Sequence, residues 1–289
     1  MDPPIDPPSD PPVVAEAPNL GAFLAPPTLL TPHAWTETKA VSSDTFSRGV
    51  WVRNDDGVWA LRKPGTSRAG SLEAVREVVC SIIAKWLHVP TPTQELLLDG
   101  VLGPCSISYD LPDGQTYRWY NVIDMRLSGS LFADGTLALQ AYAGPVVILD
   151  ALVGAIDRVN RGNHLYVESE RRWYTIDYGL SFNRFPNTTG DDGRTGVGDP
   201  RVPFGILQDV FPQIITAIGL SPEPFRSILS LAESIPDGRF EELLRLVPPE
   251  FARAEDAQRM VAFLSYRRAN LRPLLRAWCE KYGMANLLT

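Results

Sequence analysis

Four groups along this chain could act on a phosphoryl group, and they come in a telling order. Ser47-Arg48-Gly49 sits just before a β-rich run, and Lys63 closes the next run, Trp59-Ala60-Leu61-Arg62-Lys63. Glu77 lies inside the helical stretch that follows, and Asp157, Asn160 or Asn163, and Asp177 fall in GAIDRVNRGNHLYVESERRWYTIDYGLSF, Gly154 to Phe182. Phosphoryl transfer needs such a kit. A strand lysine neutralises nucleotide phosphate oxygens, and a helix carboxylate orients that lysine. One aspartate positions the acceptor hydroxyl and takes its proton; a carboxamide and a second aspartate offer magnesium the hard oxygen ligands it prefers.

Taken singly, each group fits a plainer role. A lysine at a strand end is usually solvated, Glu77 could face water, and Glu73 one turn earlier could replace it as the lysine's partner. Arg48-Gly49 could be an ordinary turn, and no GxGxxG phosphate loop is present. Ile176-Asp177-Tyr178-Gly179 says more, because an acid among apolar neighbours at a strand end is costly unless paired or metal-bound.

The surrounding elements would have to hold these groups. GVWVRNDDGVWALRK, Gly49 to Lys63, reads as a hairpin around Asp56-Gly57, since Asp-Gly between β-rich runs is a strong turn signal. Ser71 to Val89 reads as a helix: Leu72, Val75, Val78, Val79, Ile82, Ile83 and Trp86 recur at three- and four-residue steps, Ser71 would cap it, and Pro90 and Pro92 would stop it. Thr93 to Leu111 and Gln115 to Asp124 read as further strands of the same sheet. Ala138 to Ile156 is apolar and predicts a buried helix, in one piece or broken at Gly144-Pro145. The stretch from Gly154 to Phe182 predicts a hairpin, and Asn187 to Pro200 a loop. Amphipathic helices follow from Phe204 to Gly283, with Pro273 kinking or ending the first part of the last one. A small sheet lobe before a larger helical lobe implies a cleft between them, the usual place for a ligand.

The whole chain sets outer bounds. Its 289 residues suit one large domain or two lobes, and 44% apolar residues can fill a sizeable core. A formal net charge of -7 argues against a general nucleic-acid binder, which needs clustered Lys and Arg. Cys80, Cys105 and Cys279 are odd in number and far apart, so neither a disulfide framework nor a zinc knuckle is expected, and a reducing, cytoplasmic compartment is. His33, His88 and His164 are too scattered for a histidine metal site. No apolar run approaches the ~18 residues of a membrane span, so no stable membrane anchor is expected. MDPPIDPPSDPP lacks the basic and apolar regions of a signal peptide and predicts an extended, disordered arm or a ligand for a proline-reading partner. The expected division is residues 1–35 as arm and irregular segment, 36–124 as N-lobe and 125–289 as helical C-lobe.

On its motifs the chain resembles the HipA-like and phosphatidylinositol 3/4-kinase-like atypical kinases. Their pattern is an Asp-Arg loop ending in Gly-Asn, an apolar strand, and then Ile-Asp-Tyr-Gly or Ile-Asp-His-Gly. Asp157, Arg158, Gly162, Asn163, Leu165, Ile176, Asp177 and Gly179 carry the match, and REVVCSIIAKWLHVPTP, Arg76 to Pro92, looks like the family's Glu-bearing helix. The resemblance runs from about Phe46 to Phe182. It implies an α+β, two-lobed protein-kinase-like fold with a small antiparallel-sheet N-lobe. It also implies ATP and Mg2+ as cofactors, Asp157 catalytic, Asn163 and Asp177 on metal, Lys63 and Glu77 as the pair, and a protein Ser/Thr substrate. The loop departs in one respect: Asn160 follows Asp157 by three residues and Asn163 by six, where the family's asparagine usually follows by five. The Gly-Asn-x-Leu context favours Asn163, with one residue inserted. A pseudokinase that binds nucleotide or partners is therefore a second reading, and a lipid kinase a third.

Overall fold

The computed structural model describes residues 29–40, 49–64, 72–111, 116–118, 132–156, 161–182, 197–202 and 220–289. The proline-rich arm, Ser71 and residues 203–219 lie outside the described residues.

A five-stranded antiparallel sheet opens the fold. Its strands are β1 (Trp35–Ala40), β2 (Val50–Asn54), β3 (Trp59–Pro64), β4 (Gln94–Asp99) and β5 (Gly103–Tyr109), in the order β1-β2-β3-β5-β4. The β2–β3 turn follows from its residues. Gly57 takes φ 82, open to glycine at no steric cost, and Asn54 closes the turn by accepting from Gly57 through its carbonyl and from Val58 through its side chain. Leu29 is buried beside the sheet, and Leu30 forms a parallel bridge with Leu96 on β4.

Helix α1 (Leu72–Trp86) packs on β4 and β5. All of its residues are buried except Glu73 and Lys85. An apolar helix enclosed in this way places its polar members, Arg76 and Glu77, where they must be paired.

The helical region is built on α2 (Phe132–Val153), which runs without a break through Pro145. The sequence left a break there open. A proline inside a helix costs about 3 kcal/mol, but burial along Tyr142 to Val153 outweighs that cost. Gly144 faces α3 (Pro222–Glu233), where a Cβ would sit in ordinary contact with the Phe225 ring at 3.5 Å. Helices α4 (Asp237–Arg245), α5 (Ala254–Ala269) and α6 (Leu271–Lys281) complete the region. The chain turns at Asn270, and Pro273 falls in the first turn of α6, where its missing N–H has no helical acceptor to lose.

A second sheet straddles α2 in sequence. It joins β6 (Thr116–Arg118), β7 (His164–Val167) and β8 (Arg172–Thr175) in the order β6-β7-β8. The β7–β8 hairpin is the one expected between Gly154 and Phe182. Placing Gln115 to Asp124 in the first sheet is corrected: Thr116, Tyr117 and Arg118 pair with Val167, Tyr166 and Leu165. A strand's own residues state that it will pair, not with which partner.

Candidate functional site

Side chains alternate across a strand, so neighbours on β3 serve opposite faces. Ala60 shares a small core cluster with Val52 and Ile107, and Arg62 beside it is buried against Glu37 and Asp99, both at 2.8 Å. Lys63 points the other way, toward α1. Its Nζ lies 3.0 Å from Glu77 Oε1 and 3.2 Å from Asp177 Oδ1. Burial pulls the ammonium's pKa down, but the two carboxylates outweigh it and hold the pKa above the usual lysine range.

Glu77 is fully buried and accepts from three donors. Besides Lys63, Gln94 Nε2 reaches Oε2 at 3.2 Å and the Tyr178 N–H reaches it at 2.9 Å. Burial pushes the Glu77 carboxyl upward, against the opposing pull of Lys63. Glu73, the alternative partner for the lysine, lies beside Gly179: a Cβ added there would lie 2.8 Å from Glu73 Cγ. A side chain at 179 would force Glu73 to move.

Asp177 leaves β8 in the left-handed region at φ 64. A non-glycine residue held there costs about 1 kcal/mol or more, and such positions gather at functional sites. The loop is fastened from α1 at two further points, since Tyr178 N–H meets Glu77 and Arg76 Nη1 donates to the Gly179 carbonyl at 2.6 Å. Asn163, in a 3-10 turn (Arg161–Asn163), accepts the Ile176 N–H through its carbonyl at 3.0 Å. Asn163 and Asp177 are thereby brought to the same end of the β7–β8 hairpin. Asn163 is buried, and the Asp177 side chain keeps 37% of its exposure.

The structure thus brings together Lys63, Glu77 and Asp177, with the Asn163 backbone held beside Ile176. Gly49 stands at the start of β2, where a Cβ would press on Leu61 at 3.0 Å. Ser47, Arg48, Asp157 and Asn160 lie outside the described residues. Among the described residues, no three His, Cys, Asp or Glu side chains cluster as a self-sufficient metal site. The donor set that is present, one carboxylate and one carboxamide, suits magnesium, which takes few protein ligands and completes its shell with substrate phosphates and water.

The sheet-then-helix frame that carries these groups has a counterpart among solved structures. The chain is similar to the proinflammatory kinase CtkA of Helicobacter pylori, with a TM-score of 0.57 and 12% identity, over 89% of this chain and 100% of that one. The chain has a kinase-like fold. It is two-lobed and α+β, with an antiparallel-sheet N-terminal region and a helical C-terminal region. The FAT and kinase domain of CtTel1 aligns with a TM-score of 0.43 and 11% identity, over 90% of this chain and 23% of that one. The open conformation of CtTel1 gives 0.42 and 11%, over 89% and 12%. The chain therefore spans less than a quarter of the Tel1 chains, and the fold assignment rests on CtkA. No protein-family model and no curated protein matches the sequence.

Two site residues escape a reading of the sequence. Arg76 reads there only as part of a helix, and Gln94 only as the start of a strand. A signal for Arg76 existed: a cation inside Val75-Arg76-Glu77-Val78-Val79 must find a partner if the helix is buried all round. Gln94 carried none, because nothing local shows that β4 passes beside Glu77.

Proposed function

We propose that the chain is a Mg-ATP-dependent kinase that transfers a phosphoryl group to a hydroxyl, most consistently a serine or threonine of a protein. The observation that supports this best is Lys63 held between Glu77 and Asp177, with Asp177 in left-handed backbone. An ammonium set between a buried carboxylate and a half-exposed one is placed to exchange the second for phosphate oxygens. Asp177 and Asn163 would then hold the metal, while Glu77 keeps the lysine oriented. Magnesium, when bound, neutralises the phosphate oxygens. Asp157 would take the proton of the acceptor hydroxyl. Ser47, Arg48 and Gly49 would bind the phosphates.

In this reading residues 36–124 act as the N-lobe and 125–289 as the C-lobe, with affinity to the HipA-like and phosphatidylinositol 3/4-kinase-like families. The kinase named in the CtkA structure agrees with the class of reaction. No helix among the described residues is long and apolar enough to cross a membrane. The three cysteines are free and buried, which suits a reducing cytoplasm. A protein acceptor is preferred over a lipid or a nucleic acid on the net charge.

A nucleotide-binding pseudokinase is the second reading, favoured by one observation. Asn163 is only 3% exposed and stands one residue beyond the family spacing, and a misplacement near 1 Å can cost about 100-fold in rate. The deciding experiment incubates the protein with labelled Mg-ATP and scores label on itself and on lysate proteins, beside a thermal-shift titration with Mg-ATP. Stabilisation with transfer supports the kinase, and stabilisation without transfer the pseudokinase. No stabilisation at millimolar Mg-ATP refutes both.

A further inference from the structure

Arg267 of α5 is fully buried, 0% exposed, and far in sequence from every group discussed above. Carbonyl oxygens meet its guanidinium. Nε donates to Ala151 O, and Nη1 donates to Pro200 O at 3.1 Å and Val202 O at 3.0 Å. Burial pulls its pKa down to about 10, which leaves it charged at neutral pH. Sinking a cation to grip three carbonyls is expensive unless the grip is needed.

The segments it grips flank the candidate site. Ala151 and Val153 are in the last turn of α2, whose carbonyls lack helical partners. Ala151 O is capped by Arg267, Val153 O by the Phe182 N–H at 2.7 Å, and Asp150 O by the Ala155 N–H at 3.0 Å. A cation at a helix C-terminus is also favoured by the helix dipole. Residue 157 follows this end within four positions. On the other side, Phe182 stands three residues after Gly179, takes φ 64, and accepts the Gly198 N–H at 2.8 Å. Phe263, one turn before Arg267 on the same face of α5, stacks on Phe182 with ring centres 5.1 Å apart, and the Arg267 guanidinium lies over the Phe263 ring at 5.6 Å. One face of one helix therefore holds the exit of α2, the end of the Asp177 segment, and the chain where it returns after residues 183–196.

We propose that Arg267 is a positioning residue for phosphotransfer. It locks the end of α2 that leads to Asp157 against Phe182 and Pro200–Val202, so that it governs turnover and not nucleotide affinity. The proposal rests on the kinase reading. It differs from a plain core contact, which would lower stability and leave the folded fraction fully active.

The test compares Arg267→Lys with Arg268→Lys. Arg268 is the next residue of α5 and contacts Ile235 O and Asp237 at a distance from the site. Lysine keeps the charge but carries its donors on one nitrogen, so it does not reproduce the planar fork whose Nε and Nη1 meet Ala151 O and the Pro200 and Val202 carbonyls separately. Assayed well below its melting point, Arg267→Lys is expected to lose about 10- to 100-fold in kcat, with KM for ATP and the Mg-ATP thermal shift within about twofold of the parent chain; Arg268→Lys keeps its kcat. Phe263→Leu gives the same pattern at smaller size and serves if Arg267→Lys does not fold. Unchanged kcat in the folded variant, or a parallel rise in KM for ATP, overturns the proposal. If the unsubstituted protein transfers nothing, the kinase reading has failed, and hydrogen exchange decides the positioning claim alone. Faster exchange confined to the amides of Ala155, Phe182 and Gly198 in Arg267→Lys sustains it. Loss of protection spread over the helical region, or none at all, overturns it.

Discussion

Glu77→Gln is the sharpest probe of the buried pair, because it keeps the shape and removes only the charge. Glu77 accepts from Lys63, Gln94 and the Tyr178 N–H, and it donates to none of them. A carboxamide has one oxygen and one NH2, so either orientation turns N–H groups against a donor. At 3.0 Å and an effective dielectric of about 20, the lost attraction is about 5.5 kcal/mol. Part returns because the desolvation cost of the carboxylate goes with it, and Asp177 still faces Lys63 at 3.2 Å. Breaking a buried pair costs about 3–5 kcal/mol, and the remaining partner places this case near 3. For a domain of this size that lowers the melting temperature by roughly 6–12 °C. The assay is thermal unfolding with and without Mg-ATP. The double variant Lys63→Met/Glu77→Leu provides the control: removing both charges recovers part of the stability, the Tyr178 N–H and Gln94 having lost their acceptor, while Mg-ATP no longer stabilises. If Glu77→Gln melts with the parent chain, the carboxylate is not held by three donors in a dry site and the reasoning fails.

Asp177→Asn keeps a residue that tolerates left-handed backbone, so the unfolding free energy stays within about 1 kcal/mol of the parent's while the Mg-ATP shift disappears; a retained shift removes Asp177 from the metal. Asp157→Asn is expected to leave that shift and cut turnover by roughly 10²–10⁴-fold, and Asn163→Ala to cost far more activity than Asn160→Ala in the same phosphotransfer assay. Gly179→Ala drives a Cβ to 2.8 Å from Glu73 Cγ and is expected to cost about 1–3 kcal/mol in urea unfolding, recovered in Gly179→Ala/Glu73→Ala. Burial pushes the Cys105 thiol up to about 11 and the Cys279 thiol up to about 12. A raised pKa keeps a thiol protonated, so a thiol-reactive dye should label neither at pH 8 until denaturant is added; prompt labelling in the native state contradicts their burial.

What the sequence made legible follows the range of each signal. The β2–β3 hairpin was readable because Asp56-Gly57 is a local instruction, and α1 because its apolar steps repeat over fifteen residues. Lys63, Glu77 and Asp177 could be singled out by type and order, although their meeting depends on two elements packing at one register. Strand β1 was missed: Trp35-Thr36-Glu37-Thr38 alternates only briefly, and its pairing with β2 is interrupted by an irregularity between Glu37 and Lys39. β6 was assigned to the wrong sheet because its partner, β7, lies more than forty residues further on. Arg76 and Arg267 were passed over for a common reason. A charged residue in a helix is expected to face water, and only the packing around it shows that backbone carbonyls have taken water's place.

The short bridge ahead of β1 bears on handling the protein. β4 closes one side of the five-stranded sheet, and a bare strand there would offer its amides and carbonyls to any passing chain. Leu29 and Thr31 occupy that position: Leu96 N–H donates to Leu29 O at 2.6 Å, and Thr31 N–H to Leu96 O at 3.0 Å. β1 guards the opposite side with its irregular register and the exposed Thr36, Glu37 and Thr38. A chain shortened to begin at Pro32 keeps every candidate site residue and uncovers the Leu96 edge, so its first symptom would be self-association at high concentration, well before any loss of nucleotide binding.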